Sequence, residues 1–357
     1  MEKKKTSSFD EYKKLGEPNK IEKVGIWETA IGLQQVDGLT PSSYLIETAK
    51  NHIDGDITID EVKARLENYY KTQGERASDE ERTEEADKVS ARIAEILAEK
   101  TFTFSPAELI TIHKRLFDGI LDGVTTMAKA GELRTYNISK DEWVLNGDTV
   151  YYASADSIKA TLDYDFATEK AFDYSKLSKE QTVKHIAKFI SGIWQIHSFG
   201  EGNTRAIAVF TIKYLRKFGF NVNNDLFSNN SWYFRNALVR ANYVLVDSGV
   251  HATMEYLNRF FGNLVLGQNN TLKNREMQIK IGTANTPVGT ASGTVKDAVF
   301  DLIKNNNSIT ATEISEHLGM SLRTVKRKIK DLKDNGYIKR VGSDKTGSWE
   351  VVKKDKE

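Results

Sequence analysis

The stretch His197-Ser198-Phe199-Gly200-Glu201-Gly202-Asn203-Thr204-Arg205 decides how the chain is read. Before it, Val183, Ile186, Ala187, Ile190, Ile193 and Trp194 recur at three- and four-residue spacing, which predicts a helix with an inward face. After it, Ile207, Val209, Phe210, Ile212, Tyr214 and Leu215 predict a second, largely apolar helix ending near Gly219. The nine residues therefore form a loop between two buried helices. Each polar type in that loop suits a phosphate site. Gly200 and Gly202 let backbone N–H groups face an anion at the start of the second helix. Asn203 can donate to a phosphate oxygen, and Arg205 can fork across one. Glu201 offers the hard oxygen that Mg²⁺ accepts alongside nucleotide phosphates. His197, whose ordinary pKa lies near neutrality, can take a proton from an attacking hydroxyl.

This run resembles the core motif of Fic-family enzymes, His-Pro-Phe-x-Asp/Glu-Gly-Asn-Gly/Lys-Arg. His197, Phe199, Glu201, Gly202, Asn203 and Arg205 match it, while Ser198 stands in place of Pro and Thr204 in place of Gly or Lys. Where the family often has a second Arg for the nucleotide's far phosphates, this chain has Ala208. The resemblance implies a mainly α fold, a Fic-type helical bundle with a β-hairpin flap. It implies AMPylation, the transfer of AMP from ATP to a Ser, Thr or Tyr hydroxyl of a target protein, with Mg²⁺ as cofactor. His197 would then be the general base, Glu201 the metal ligand and Phe199 the anchor of the loop. Gly200, Gly202, Asn203, Thr204 and Arg205 would hold the nucleotide phosphates.

Composition sets the frame for that reading. A chain of 357 residues predicts two or three units, and 39% hydrophobic residues can fill a sizeable core. The net charge of +1 implies no global polyelectrolyte partner. The absence of cysteine excludes disulfides and Cys-ligated zinc and fits a reducing compartment. With no apolar leader and no run of about 18 apolar residues, the expectation is a soluble, cytoplasmic protein with no membrane partner.

Residues 1–85 read as an N-terminal module of short helices. Ile26, Trp27, Ala30, Leu33 and Val36 give one helical pattern, which ends at the turn signal Asp37-Gly38; Pro41-Ser42-Ser43 opens another. Thr72 to Glu85 is highly charged and reads as a solvated helix face or linker. The stretch from Leu33 to Ser42 resembles the small helical antitoxins that accompany Fic proteins, whose Ser/Thr-x-x-x-Glu-Gly/Asn pattern blocks the γ-phosphate by pairing with the second motif Arg. Here the spacing places Leu33 and Asp37-Gly38 on that pattern, with Ala208 opposite. Asp37 is thus expected to be a degenerate inhibitory position whose electrostatic lock is weak or lost.

Residues 86–280 read as the catalytic body. Ser105-Pro106-Ala107-Glu108 marks a helix start, with Ser as cap, Pro in the first turn and Glu three residues after the cap. His113 on that helix is expected to be structural. Around Asn146-Gly147, the β-prone Tyr136, Ile138, Trp143, Val144, Val150, Tyr151 and Tyr152 predict a hairpin. In the family such a flap holds the target's backbone as an added strand, so the target protein is expected to dock near 131–152. Asn242 and Tyr243 resemble the part of the family fold that lines base and ribose.

Residues 281–293 have linker composition, and 294–357 predict a small winged helix-turn-helix domain. A helix ends at Gly319, the next begins at Ser321, and a hairpin with a glycine-bearing tip follows. Arg323, Lys326, Arg327 and Lys330 fall on the recognition helix and Lys339 and Arg340 on the wing, which makes DNA a candidate partner. Two alternatives stay open beside AMP transfer. One is a nucleotide-sensing, DNA-binding transcriptional regulator with a non-catalytic Fic-like body; the other is transfer from a different nucleotide donor, prompted by Ala208 and Thr204. A homodimer is compatible with either.

Overall fold

The structure is a computed structural model describing residues 9, 18–72, 78–121, 128–222, 226–279, 299–300, 302–304, 306–318, 322–334, 337–341 and 348–352. Its helices are α1 (Pro18–Gly32), α2 (Ser43–Asp54), α3 (Ile59–Lys71), α4 (Ser78–Ala98), α5 (Pro106–Phe117), α6 (Ile158–Ala171), α7 (Lys179–Ile196), α8 (Asn203–Lys217), α9 (Leu226–Ala241), α10 (Glu255–Leu266) and α11 (Asn274–Met277). A short 3₁₀ turn, Leu33–Asp37, continues α1. The chain is mostly helical, as expected.

Local chemistry explains where these helices begin. Ser42 caps α2 by accepting from the Leu45 N–H, and Thr58 and Glu61 close a reciprocal capping box on α3. Ser105 caps α5 with Pro106 at its first position, as the sequence predicted. Ser178 and Gln181 form a second capping box on α7. The apolar faces meet in one hydrophobic cluster running from Phe9 to Ile279, with Trp27, Phe117, Trp194, Phe199, Phe210, Phe234 and Phe260 fully buried in it. Each such side chain contributes about 1.5–3 kcal/mol relative to exposure.

The N-terminal helices share this core. The expected boundary at 85/86 falls inside the single helix α4, so 78–85 is not a linker. Asp87, buried on α4, accepts from the Ser42 N–H and hydroxyl and from the Tyr70 hydroxyl, tying α2 and α3 to the body. At the end of α1, Gly32 lies so close to α9 that an added Cβ would sit 2.3 Å from the Cα of Ser228. Ser231 then donates to the Gly32 carbonyl at 2.8 Å.

Between α5 and α6 the expected hairpin is not formed. The chain does reverse at Asn146-Gly147, both at positive φ (55° and 91°). Its flanks, however, hold no paired strands: Trp143–Leu145 is a 3₁₀ turn, and the Glu142 N–H donates to the Asp148 carbonyl. The Lys140 N–H goes to the Thr149 hydroxyl instead of to a strand partner.

A second, separate cluster of Val299, Ile303, Ile309, Ile314, Val325, Ile329, Leu332 and Ile338 supports α12 (Ala311–Leu318), α13 (Leu322–Asp334) and the antiparallel pair β1 (Ile338–Val341) and β2 (Ser348–Val351). Trp349 fastens β2 by donating from its indole to the Ile309 carbonyl at 3.1 Å. This is the expected helix, helix and wing. The turn at Gly319, the wing tip and the linker 281–293 lie outside the described residues. Among the described residues no helix is long and apolar enough to cross a membrane.

Candidate active site

The motif loop joins α7 to α8 and is braced from every side. His197 ends α7 in the left-handed region (φ 51°, ψ 60°), an uncommon conformation for a side-chain-bearing residue. Arg134 holds it there: its Nε donates to the His197 carbonyl at 2.7 Å, and its other nitrogens reach the carbonyls of Ile196, Tyr136 and Ala153. Phe199 is buried and stacked on His113, ring centroids 3.7 Å apart. Gly202, the cap of α8, has φ 72°, and a Cβ there would sit 2.4 Å from the Phe117 ring. Only glycine meets both demands without strain. A Cβ at Gly200 would collide with the Tyr136 hydroxyl, so that glycine is a packing requirement.

Two expected phosphate ligands face inward. Asn203 donates from Nδ2 to the Phe199 carbonyl at 2.7 Å and accepts the Phe199 N–H on Oδ1 at 2.9 Å. Its Oδ1 and one N–H of its amide brace the loop's own backbone, so a phosphate could draw only on the second N–H. Thr204 accepts the Trp194 indole N–H at 3.1 Å, which fixes its hydroxyl oxygen beside α7 and leaves the O–H as a donor.

His113 is structural, as expected, and holds the loop. The Gly131 N–H donates to Nδ1 at 2.9 Å, so the proton is on Nε2, which donates to the Glu201 carbonyl at 2.9 Å. Burial lowers its pKa to about 4. His197 differs in one respect. Its Nδ1–H donates to the Trp194 carbonyl at 3.3 Å, which leaves Nε2 buried, unprotonated and without a hydrogen-bond partner among the described residues. Burial, followed by the nearby Lys140 charge, pushes its pKa well below the ordinary value. The Tyr152 ring covers it at 4.1 Å.

The cations are arranged in a way the sequence did not reveal. Arg205, its side chain 3% exposed, donates to Glu85 at 2.5 Å and to Gln34 at 3.1 Å, with Phe117 4.7 Å beneath the guanidinium. Its Nε lies 2.8 Å from Asp37 Oδ2, although the alignment falls short of a hydrogen bond. A second guanidinium, Arg235 of α9, reaches the same carboxylate at 3.7 Å while donating to Glu142 (3.1 and 3.2 Å) and to the Val36 carbonyl (2.7 Å). Burial alone would raise the Asp37 carboxyl, but Arg205, Arg235 and Lys140 outweigh it and hold the pKa below the usual range. The expectation that Asp37 had lost its arginine is therefore overturned: Ala208 supplies nothing, and Arg205 and Arg235 supply two charges.

Lys140, from the segment between α5 and α6, donates to Glu201 Oε2 at 3.0 Å. Among the described residues no group of three His, Cys, Asp or Glu could hold a metal by itself. A Mg²⁺ held by one carboxylate, waters and substrate phosphates fits this donor set, since Glu201 is 45% exposed and bound on one oxygen. Asn242 donates to the Ser191 hydroxyl at 2.9 Å, and Tyr243 donates to Asp148 at 2.7 Å. Both tie elements together here.

Arg134, Lys140, Glu85, Gln34 and Arg235 escaped the sequence reading. None shares a spacing with the motif, and the pairs that join them to the motif or to Asp37 span 61 to 198 residues. In the C-terminal domain Lys326, Lys330 and Lys339 are exposed; Lys339 pairs with Glu350 at 2.8 Å, and Arg340 lies over the Trp349 ring at 4.5 Å. The side chains of Arg323 and Arg327 lie outside the described residues.

Residues 103–215 match the Fic/DOC family, and residues 298–339 match the winged helix-turn-helix DNA-binding family. The chain thus carries a Fic segment and a winged helix-turn-helix segment. Similar solved structures include the N-terminal Fic domain of a Bartonella effector protein from Bartonella sp. AR 15-3 (19% identity, 54% of this chain and 85% of that one, TM-score 0.40). Another is the BepC protein of Bartonella tribocorum with bound AMPPNP (18%, 54% and 90%, TM-score 0.39). A third is a Fic domain containing signaling protein from Bacteroides thetaiotaomicron (18%, 72% and 89%, TM-score 0.39). No curated protein matches the chain.

Proposed function

We propose that the protein transfers AMP from ATP to a hydroxyl side chain of a target protein, with His197 as the general base. The observation that carries this reading is the free Nε2 of His197, whose tautomer is fixed by the bond from Nδ1 to Trp194. A buried imidazole with an unused lone pair can accept the hydroxyl proton as the oxygen attacks the α-phosphate and the α–β anhydride bond breaks, releasing pyrophosphate. Arg205 and the N–H groups at the start of α8 stabilise the charge that develops there. Glu201 is the side chain that would hold Mg²⁺, and the ion would offset phosphate charge. Tyr152 and the segment 131–152 exclude water from the base and form the docking face for the target.

The closed site is a resting form. Its strongly lowered pKa leaves His197 neutral but weakly basic. A bound triphosphate brings negative charge that raises the imidazole toward neutrality, where base catalysis is efficient. Asp37 and Lys140 occupy the guanidinium and the carboxylate that nucleotide and metal would use, so the N-terminal segment competes with nucleotide. The exposed lysines of α13 and β1 support DNA as the partner of the C-terminal domain.

The test is incubation of the full chain with Mg²⁺ and α-labelled ATP, alone and with lysate proteins, beside His197→Ala, read by intact mass. Label on the native reaction alone, with the added mass of AMP, is the expected result. Tight ATP binding without transfer in either protein would replace the enzyme with the nucleotide sensor.

A further inference from the structure

The carboxylate of Asp37 stands between two guanidiniums that come from different helices, Arg205 on α8 and Arg235 on α9. Each arginine also has partners other than Asp37. Glu85 and Gln34 orient Arg205, while Glu142, the Val36 carbonyl and the Trp232 ring orient Arg235. Each retains an Nε that is buried and has no hydrogen-bond partner among the described residues. A buried, charged donor without a hydrogen bond is costly, and here the Arg205 Nε meets the Asp37 carboxylate out of alignment while Arg235 approaches the same carboxylate through a terminal nitrogen at 3.7 Å. A carboxylate has the charge and the planar oxygens to satisfy such a pair only in part. A tetrahedral phosphate, with more oxygens and more charge, can meet both.

We infer that Arg235, a residue outside the motif, is the second cation of the polyphosphate site and recognises the terminal phosphates of a nucleoside triphosphate. This inference rests on the nucleotide-transfer reading above. Arg235 supplies from α9 the charge that Ala208 cannot supply from α8. Discrimination between triphosphate and monophosphate therefore resides in a helix that the motif does not include. Because Glu142 also belongs to the segment covering His197, a phosphate that draws on Arg235 also acts on the ion pair holding that cover.

Arg235→Ala alone would strand Glu142, whose side chain is 1% exposed, so the informative variant removes both charges. The full chain carrying Asp37→Asn, which frees the site, is compared with the same chain carrying Arg235→Gln and Glu142→Gln as well. A third protein carries Asp37→Asn with Arg235→Lys. Affinities for ATP and for AMP are measured by calorimetry with Mg²⁺, beside thermal melting. The Asp37→Asn chain is expected to prefer ATP, and the paired variant is expected to lose ~10-fold or more of that preference, the worth of one charge-assisted contact. Arg235→Lys, which keeps the charge without the fork, falls between, and it decides the matter if the paired variant does not fold. An unchanged ATP-to-AMP ratio in a folded variant overturns the role of Arg235 and leaves the transfer reading standing. Failure of the Asp37→Asn chain to bind either nucleotide overturns the transfer reading and this inference together.

Discussion

Arg205 and Lys326 are both cations that a phosphate would favour, and the protein holds them in opposite ways. Arg205 is almost wholly buried, with Glu85, Gln34, Asp37 and the Phe117 ring around it. Lys326 and Lys330 project from α13 into solvent, with Lys339 on the neighbouring strand. In the first region the low dielectric makes each charge strong and each orphaned donor costly, so any anion entering it must fit a fixed geometry. In the second, water and salt screen each charge, and attraction grows only with the number of phosphates met. Under the proposed function, one chain carries two answers to the same anion.

The largest effect that would sharpen this contrast is at the base. His197→Ala is expected to lower transfer by about 10²–10⁴-fold with the fold retained, measured as AMP incorporated per unit time. Next comes the brace. Asn203→Ala strands the N–H and the carbonyl of Phe199, and it should cost roughly 2–4 kcal/mol in denaturant unfolding. Lys326→Gln in the same assay should stay within about 0.5 kcal/mol. Equal losses would erase the distinction between the regions.

Acid supplies a third test. His113, and with it His52, has a folded pKa of about 4, below the ordinary value of 6.5. Above pH 6.5 both are neutral folded and unfolded, and no penalty arises. As pH falls from 6.5 toward 4 the unfolded chain takes up protons first, so stability declines through that window. For His113 the loss is on the order of 3 kcal/mol and should level off below pH 4. Replacing His113 by Gln should flatten the profile in urea titrations across pH. The smallest effect belongs to the exposed lysines. Lys326→Gln and Lys330→Gln should each reduce the salt slope of DNA binding by about one, while AMP transfer stays unchanged.

The residues of the loop were legible because its signals are local. Helix periodicity on both sides, the Ser105 and Ser178 caps and the glycine at 202 are all set within a few residues of where they act. The same sequence left the direction of each side chain open. Asn203 reads as a ligand by type, yet its amide closes a ring on the backbone four residues earlier. Arg235 was invisible for a different reason: its partners Asp37 and Glu142 lie 198 and 93 residues away, and only the packing of α9 against the turn after α1 and the segment between α5 and α6 joins them. Asn146-Gly147 predicted a reversal and delivered it. No ladder forms because the Lys140 N–H meets the Thr149 hydroxyl in place of a backbone carbonyl and Trp143–Leu145 winds into a 3₁₀ turn.

Gly32 sets a mechanical tolerance for the whole arrangement. Its backbone lies against Ser228 with no room for a methyl group, so α1 and α9 meet with nothing between them. Five residues beyond that contact is Asp37, and seven residues beyond Ser228 is Arg235. The gap between carboxylate and guanidinium is therefore gauged by a point far from either charge. A single methyl at position 32 would act as a shim, widening the clamp without touching a residue that binds.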